Sequence, residues 1–350
     1  MQEFDVQPLS HDMDAAIAHK IDLKTKPLGS LGRLEKVAAQ ICRIQQTLEP
    51  QLLKPAFFVC AADHGVVAEG VSPYPQDVTW QMVYNFLSGG AAINVFARQH
   101  NLALKVVDCG VKHDFAAHPD LISMKIGPGT QNLAQQPAMT REECLQALAN
   151  GATLVDEARN NGTNVIGLGE MGIGNTTAAS ALMCKLGDID PVKATGAGTG
   201  LNAEGIQHKQ QVIARALATH QQLSTPLDIL AALGGFEILT MTGAILRAAH
   251  HHMVVLIDGF IATSALLAAH ALQSDVLDYC IACHQSNEQA HRMMLEMMGI
   301  EPLMKLDMRL GEGTGAAVAY PLVVSAVNFV NQMNSFEGAG VSQKDESAVK

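Results

Sequence analysis

Short, nearly unbroken apolar runs alternate along this chain with longer stretches in which apolar residues return every three or four positions. PAFFVCAADHG (55–65), LALKVVDCGV (102–111), NVIGLGE (164–170), DILAALGG (228–235) and HMVVLIDGF (252–260) read as buried strands ending in glycine or a polar residue. Between them DVTWQMVYNFLSGGAAINVFARQH, REECLQALANGATLVDEARNNG, NAEGIQHKQQVIARALATHQQL and FEILTMTGAILRAAHHH have helical periodicity. The βαβα order predicts an α/β fold: a doubly wound, mostly parallel sheet with helices on both faces. The first and last fifty or so residues lack strand runs. Segments 1–50 and 300–350 are therefore expected to form a smaller helical domain beside a large Rossmann-like domain over 51–299, with the polar tail SFEGAGVSQKDESAVK (335–350) fraying.

Ligands of such sheets sit at the carboxyl ends of the strands. That rule points at Asp63, His64 and Gly65, at Asp108 to Gly110, at Gly169 and Glu170, at Gly234 and Gly235, and at Asp258 and Gly259. A lone carboxylate, Glu312, stands between two glycines in LGEGTGAA (310–317), where a ligand can approach the backbone closely and a general base is wanted. The competing reading is a glutamate that caps the following helix. In GLGEMGIGNTTAAS (167–180), Gly167, Gly169 and Gly172 satisfy the G-x-G-x-x-G of a dinucleotide site, which makes an NAD(P)-dependent oxidoreductase the alternative function. The acids some twenty residues on, Asp188 and Asp190, fall in a Pro-bearing loop instead of closing a second strand. Asn175, Thr176 and Thr177 open the next helix as capping residues, which suits one phosphate monoester better than a dinucleotide. TGAGTGLN (195–202) also precedes a helix, and Lys209 within that helix offers a point charge to an anion; a tight packing corner with a solvated lysine is the other reading.

Composition narrows the partners. The 350 residues carry a net charge of −11 without a basic block, which speaks against nucleic acid and anionic membranes and for a small molecule. The longest apolar stretch, 253–272, is interrupted by Asp258, Gly259 and His270 and reads as strand, turn and helix, not as a membrane span. The acidic N-terminus lacks the features of a secretory signal, and seven cysteines, mostly in apolar strings, suit a reducing compartment, so a cytoplasmic location is expected. Cys280, Cys283 and His284 spell C-x-x-C-H with His291 beyond, but the reading favoured over haem or zinc is a helix start near a domain surface. The run His250 to His252 is expected to face solvent at a helix end and is assigned no chemistry.

Six separated blocks then carry a resemblance. KTKPLGSLGRLE (24–35), AADHGVVAEGVSPYPQDVT (61–79), FLSGGAAINVFAR (86–98), GEMGIGNTT (169–177), GAGTGLN (196–202) and LDMRLGEGTGAA (306–317) resemble, in order, the nicotinate-nucleotide:dimethylbenzimidazole phosphoribosyltransferase family, which builds the lower ligand of cobalamin. The resemblance implies transfer of phosphoribose from nicotinate mononucleotide to 5,6-dimethylbenzimidazole with inversion at C1′, giving α-ribazole 5′-phosphate and nicotinate, in a homodimer that needs no metal or other cofactor. It implies Glu312 as catalytic base; Glu170, Gly172, Gly174, Asn175, Thr176, Thr177, Gly198 and Lys209 around the nucleotide; and Ser72, Tyr74, Gln81 and Leu310 around the aromatic base.

Overall fold

The computed structural model describes residues 4–196, 198 and 200–342. Residues 343–350 of the tail expected to fray, and Ala197 and Thr199 of the second glycine loop, lie outside the described residues. The chain opens with α1 (Asp14–Asp22) and α2 (Arg33–Gln45), and α2 buries Val37, Ala38, Ile41 and Ile44 at helical spacing. β1 (Ala56–Ala62) is buried along its whole length. The helical run expected over 77–100 divides into α3 (Val78–Leu87) and α4 (Ala92–Gln99), because Gly89 turns left-handed at φ 78° and the Asn94 side chain accepts the Ala91 N–H to start a new helix. β2 (Ala103–Gly110) and the short β3 (Leu121–Ser123) follow. α5 (Arg141–Asn160) starts at a reciprocal capping box of Thr140 and Glu143.

β4 (Val165–Met171) leads through a tight turn into α6 (Asn175–Gly187), then α7 (Pro191–Ala194) and α8 (Ala203–Thr219). The strand expected at 228–235 is instead helix α9 (Pro226–Leu233): Thr225 accepts the Asp228 N–H as N-cap and Pro226 occupies the first turn. Ile229 to Leu233 are buried in succession, and a short helix that is apolar all round has the same one-dimensional pattern as an interior strand. α10 (Phe236–His250), β5 (Val254–Ile257), α11 (Phe260–Leu272), β6 (Cys280–Ala282), α12 (Gln289–Met297), α13 (Thr314–Gln332) and α14 (Phe336–Ala339) complete the chain. The C-x-x-C segment is thus a buried strand, not a helix start. The Cys280 and Cys283 thiols donate to the carbonyls of Val276 and Ile281, and burial raises both pKa values.

The six strands form one sheet in the order β3-β2-β1-β4-β5-β6, and every pairing is parallel. Chain direction across the sheet reverses between β1 and β4, so their carboxyl ends, Asp63 to His64 and Glu170 to Met171, flank the switch-point crevice. α10 packs between α5 and α11, while α13 packs against α2, α4 and β4. Phe57 of β1 meets Tyr320 of α13 edge to face with ring centroids 6.5 Å apart. α13 is long and apolar enough to cross a membrane, with mean hydropathy 1.3 over an 18-residue window, yet Ala316, Ala317, Ala319, Val323 and Ala326 are buried in the protein core. The two ends of the chain are joined: Lys24 bridges to Ser335, and its Nζ donates to the Met333 carbonyl at 2.6 Å. In the histidine run, His251 turns from solvent onto Asp156 at 2.6 Å, where Arg247 also binds through two bonds.

Candidate active site

The carboxyl ends of β4 and β5, the first turn of α6 and the loop 309–311 border a cleft lined by Glu170, Met171, Asn175, Thr176, Asp258, Gly259, Ser286, Glu288, Arg309 and Leu310 among others. A smaller lobe adjoins it across Gly172, Ile173, Asn175, Thr176 and Gly198, and is closed by Ser72, Gly174, Leu201 and Lys209.

Glu312 is held by a strained turn. Its own φ is +63°, between Gly311 and Gly313 at +84° each, a conformation that a glutamate seldom adopts. Two features retain it. Asp258 accepts the Gly313 and Ala316 N–H groups at 3.1 Å each, and Gly169 of β4 has no side chain where a Cβ would overlap the Glu312–Gly313 peptide. Asp258 therefore caps α13, and the capping alternative for Glu312 falls away. The Glu312 carboxylate accepts instead the Ile93 N–H in the first turn of α4 at 3.4 Å. Burial raises its pKa, repulsion from Asp258 adds to the rise, and the Ile93 N–H opposes it.

Glu170, near the end of β4, is buried, and one carboxylate oxygen accepts from the Asn175 amide. The other lies against Gly311, where a Cβ would overlap it. Burial first, then the carboxylates of Glu237 and Asp258, push its pKa up to about 8, with the Asn175 bond opposing. Four acids thus converge at the cleft, Glu170 and Asp258 on its lining and Glu237 and Glu312 behind it. Glu237, on α10, was not singled out in the sequence because it sits inside a helical pattern. It meets His64 at 2.6 Å, both fully buried, beneath the Gly172 turn. Gly234 and Gly235 end no strand, but Gly235 packs on His64 and so belongs to this floor. Asp63 binds the Lys112 N–H at 2.8 Å, and Asp108 binds those of Gly110 and Val111, so these two tie turns together outside the cleft lining.

The opening of α6 differs from the expected cap. Gly174 is the N-cap at φ 94°, and no side chain caps the helix. The Asn175 side chain serves Glu170, the Thr176 hydroxyl accepts from Lys209 Nζ at 2.6 Å, and the Thr177 hydroxyl is buried without a partner among the described residues. Ile173 donates its N–H to the Thr79 hydroxyl at 3.1 Å, anchoring the turn from α3. Lys209 is fully buried, not solvated. Burial draws its pKa down to about 8, with Glu288 opposing. A Cβ at Gly198 would stand 3.2 Å from the Thr176 hydroxyl and 3.4 Å from Lys209 Nζ.

The glycines of the dinucleotide alternative are placed otherwise. Gly167 and Gly169 lie inside β4, with Phe57 and the Glu312 turn in the space their side chains would occupy, so the strand runs through the motif and no phosphate loop forms there. Of the four residues expected around an aromatic base, Ser72 closes the small lobe and Leu310 lines the large one, 57% exposed. Tyr74, 48% exposed, and Gln81 line neither. Ser286, Glu288 and Arg309 line the cleft without having been singled out in the sequence, because they come from irregular loops. Arg309 donates to the Gly198 carbonyl at 3.2 Å across the mouth. Among the described residues no three His, Cys, Asp or Glu side chains group closely enough to hold a metal ion.

A sequence-family model described as Phosphoribosyltransferase matches residues 6–341. The chain is 53% identical over 348 residues to the nicotinate-nucleotide:dimethylbenzimidazole phosphoribosyltransferase of Dechloromonas aromatica (strain RCB), covering 99% of this chain and 100% of that one. It is 53% identical over 336 residues to the enzyme of the same name from Janthinobacterium sp. (strain Marseille), covering 95% and 96%. The crystal structure of CobT from Thermus thermophilus superposes with a TM-score of 0.92 at 44% identity, covering 94% of this chain and 99% of that one. The strained Glu312 turn, the uncapped helix start with its buried lysine, and these full-length matches have one explanation: the chain belongs to the nicotinate-nucleotide:dimethylbenzimidazole phosphoribosyltransferase family.

Proposed function

We propose that this enzyme moves phosphoribose from nicotinate mononucleotide to 5,6-dimethylbenzimidazole, with Glu312 as the base. The observation that carries the reading is a carboxylate of raised pKa, fixed on a strained turn beside a cleft whose other end holds a buried lysine at a helix start. The acceptor's bare ring nitrogen attacks C1′ from the face opposite nicotinate. The C1′–N bond to nicotinate breaks with its electron pair going to the pyridine nitrogen, so the leaving group departs neutral and asks for no proton. The acceptor's second nitrogen loses its proton to Glu312. Inversion from β to α follows from opposite-face attack.

Phosphate is assigned to the small lobe, where Lys209 supplies charge and Gly172, Gly174, Asn175, Thr176 and Gly198 supply close backbone and short side chains, with Thr177 next in the first turn of α6. Glu170 is assigned to the ribose and Leu310, which lines the large lobe, to the acceptor side. Lys209 and Thr176 already engaging each other supports the phosphate assignment, since a phosphate oxygen can take the place of the hydroxyl on the ammonium. Incubating the protein with both substrates and separating the products checks the reading: free nicotinate and α-ribazole 5′-phosphate in equal amounts are expected, and reaction of neither substrate overturns it.

The reading extends to a homodimer with a small domain from segments 1–50 and 300–350, located in the cytoplasm. Bonds between the segments at Lys24 and Met333 support the domain division, and seven buried free thiols suit a reducing compartment. A monomer mass in light scattering would remove the dimer.

A further inference from the structure

His291, at the start of α12 and fully buried, is used at both ring nitrogens. The Ser286 backbone N–H reaches Nδ1 at 2.8 Å, and Nε2 stands 2.9 Å from the Thr263 hydroxyl, which donates in turn to the Gly259 carbonyl at 2.8 Å. The two ends of this relay determine its direction. A backbone N–H only donates, so Nδ1 carries no proton. A carbonyl only accepts, so the Thr263 hydrogen is spent on Gly259 and its oxygen is left to accept from Nε2–H. The ring is neutral and protonated at Nε2, and no other proton placement satisfies all three bonds. Both ends line the large lobe: Gly259 directly follows Asp258, and Ser286 comes from the loop after β6.

We infer that His291 is a positioning residue of this phosphoribosyltransferase site: its neutral imidazole joins the Gly259 and Ser286 walls of the cleft and holds them at the spacing the substrates need. The inference rests on the reading of the cleft as the transfer site. The neighbouring groups agree with it. His284, whose ring centroid is 6.1 Å away, lies next to His291, with Asp258 3.6 Å from the His284 Nε2, and Glu288 stands three residues before His291 with its carbonyl accepting the His291 N–H. Burial, reinforced by His284, draws the His291 pKa down to about 3, so the imidazole keeps its acceptor lone pair at neutral pH.

Two variants separate positioning from filling. His291→Phe keeps the ring volume and loses both bonds; His291→Asn keeps an acceptor within reach of the Ser286 N–H. We expect His291→Phe to raise KM for nicotinate mononucleotide or lower kcat by about tenfold or more, and His291→Asn, which keeps the Ser286 bond and loses the Thr263 bond, to fall between that variant and the parent. Parental kinetics in a folded His291→Phe protein overturn the inference. Nitrogen NMR of the unsubstituted protein, labelled at histidine, provides a readout independent of turnover and of the variants' folding. A protonated Nε2 and bare Nδ1 unchanged between about pH 5 and 8 are expected, and titration of His291 near the ordinary value of about 6.5 overturns the assignment. Failure of the unsubstituted enzyme to transfer phosphoribose would sink the reading of the site instead, leaving the NMR result to decide the relay.

Discussion

Burial shifts the pKa of Glu312 upward and that of Lys209 downward; Lys209 closes the small lobe, and Glu312 directly follows Gly311, which lines the large one. A raised carboxylate pKa makes a stronger base but leaves less of it ionised at low pH. Transfer should therefore fail as pH falls through the elevated Glu312 value, not at the usual carboxylate value near 4.3. Glu312→Gln keeps the shape and removes the base, so kcat should drop by about 10² to 10⁴ with nicotinate mononucleotide still bound. Lys209→Ala should act on the other parameter: losing one charged contact worth about 1.5 to 3 kcal/mol raises KM for the mononucleotide by about ten to a hundredfold. Steady-state kinetics on the pair checks both, and a Glu312→Gln enzyme at parental rate removes the base from the mechanism. In the sequence Glu312 stood out through its flanking glycines. Glu237 did not, since nothing local distinguishes a glutamate beneath a site from one on a helix surface.

At the scale of elements, the site depends on how closely α13 approaches β4. Gly169 is the point of contact, and any side chain there meets the backbone that carries Glu312. Gly169→Ala should force the turn outward. Overpacking of this kind costs about 1 to 3 kcal/mol of stability, to be read by urea denaturation, and kcat should fall because the base moves with the turn. An alanine variant with parental stability and rate would show that the turn has slack. The same glycine belonged to a plausible dinucleotide motif, and only the extension of β4 to Met171 removes that reading. α9 shows a similar limit: an apolar stretch of eight residues serves equally as helix or strand until its neighbours and its Thr225 cap are known. By contrast β1, β2, β4 and β5 were legible, because strands buried on both faces need continuous apolar runs.

Across the whole molecule the acids gathered at the cleft make the ligand-free protein sensitive to alkali. Glu170 binds its proton up to about pH 8 in the folded state, whereas the unfolded chain releases it near the reference value of 4.5. Between those values the folded state holds more protons, so stability is full below about pH 4.5 and is lost as pH rises toward 8. Glu170→Gln should remove that slope and raise the melting temperature at pH 8 relative to the parent; an unchanged slope in thermal scans would show that Glu170 ionises normally. The sequence by itself determined the parallel α/β architecture, the helical termini, and the presence of a glycine-flanked acid and a helix-borne lysine. Those properties are local: periodicity, chain direction and the backbone freedom of glycine are written within a few turns of chain. Only the tertiary structure decided that Asp258 caps α13 and frees Glu312 from that task, that Lys209 is buried on Thr176, and that His291 bridges two walls of the cleft. Each of these depends on contact between segments far apart in the chain, and the free energy of burying a charge or orienting a proton is set by those contacts, not by the residues next to it.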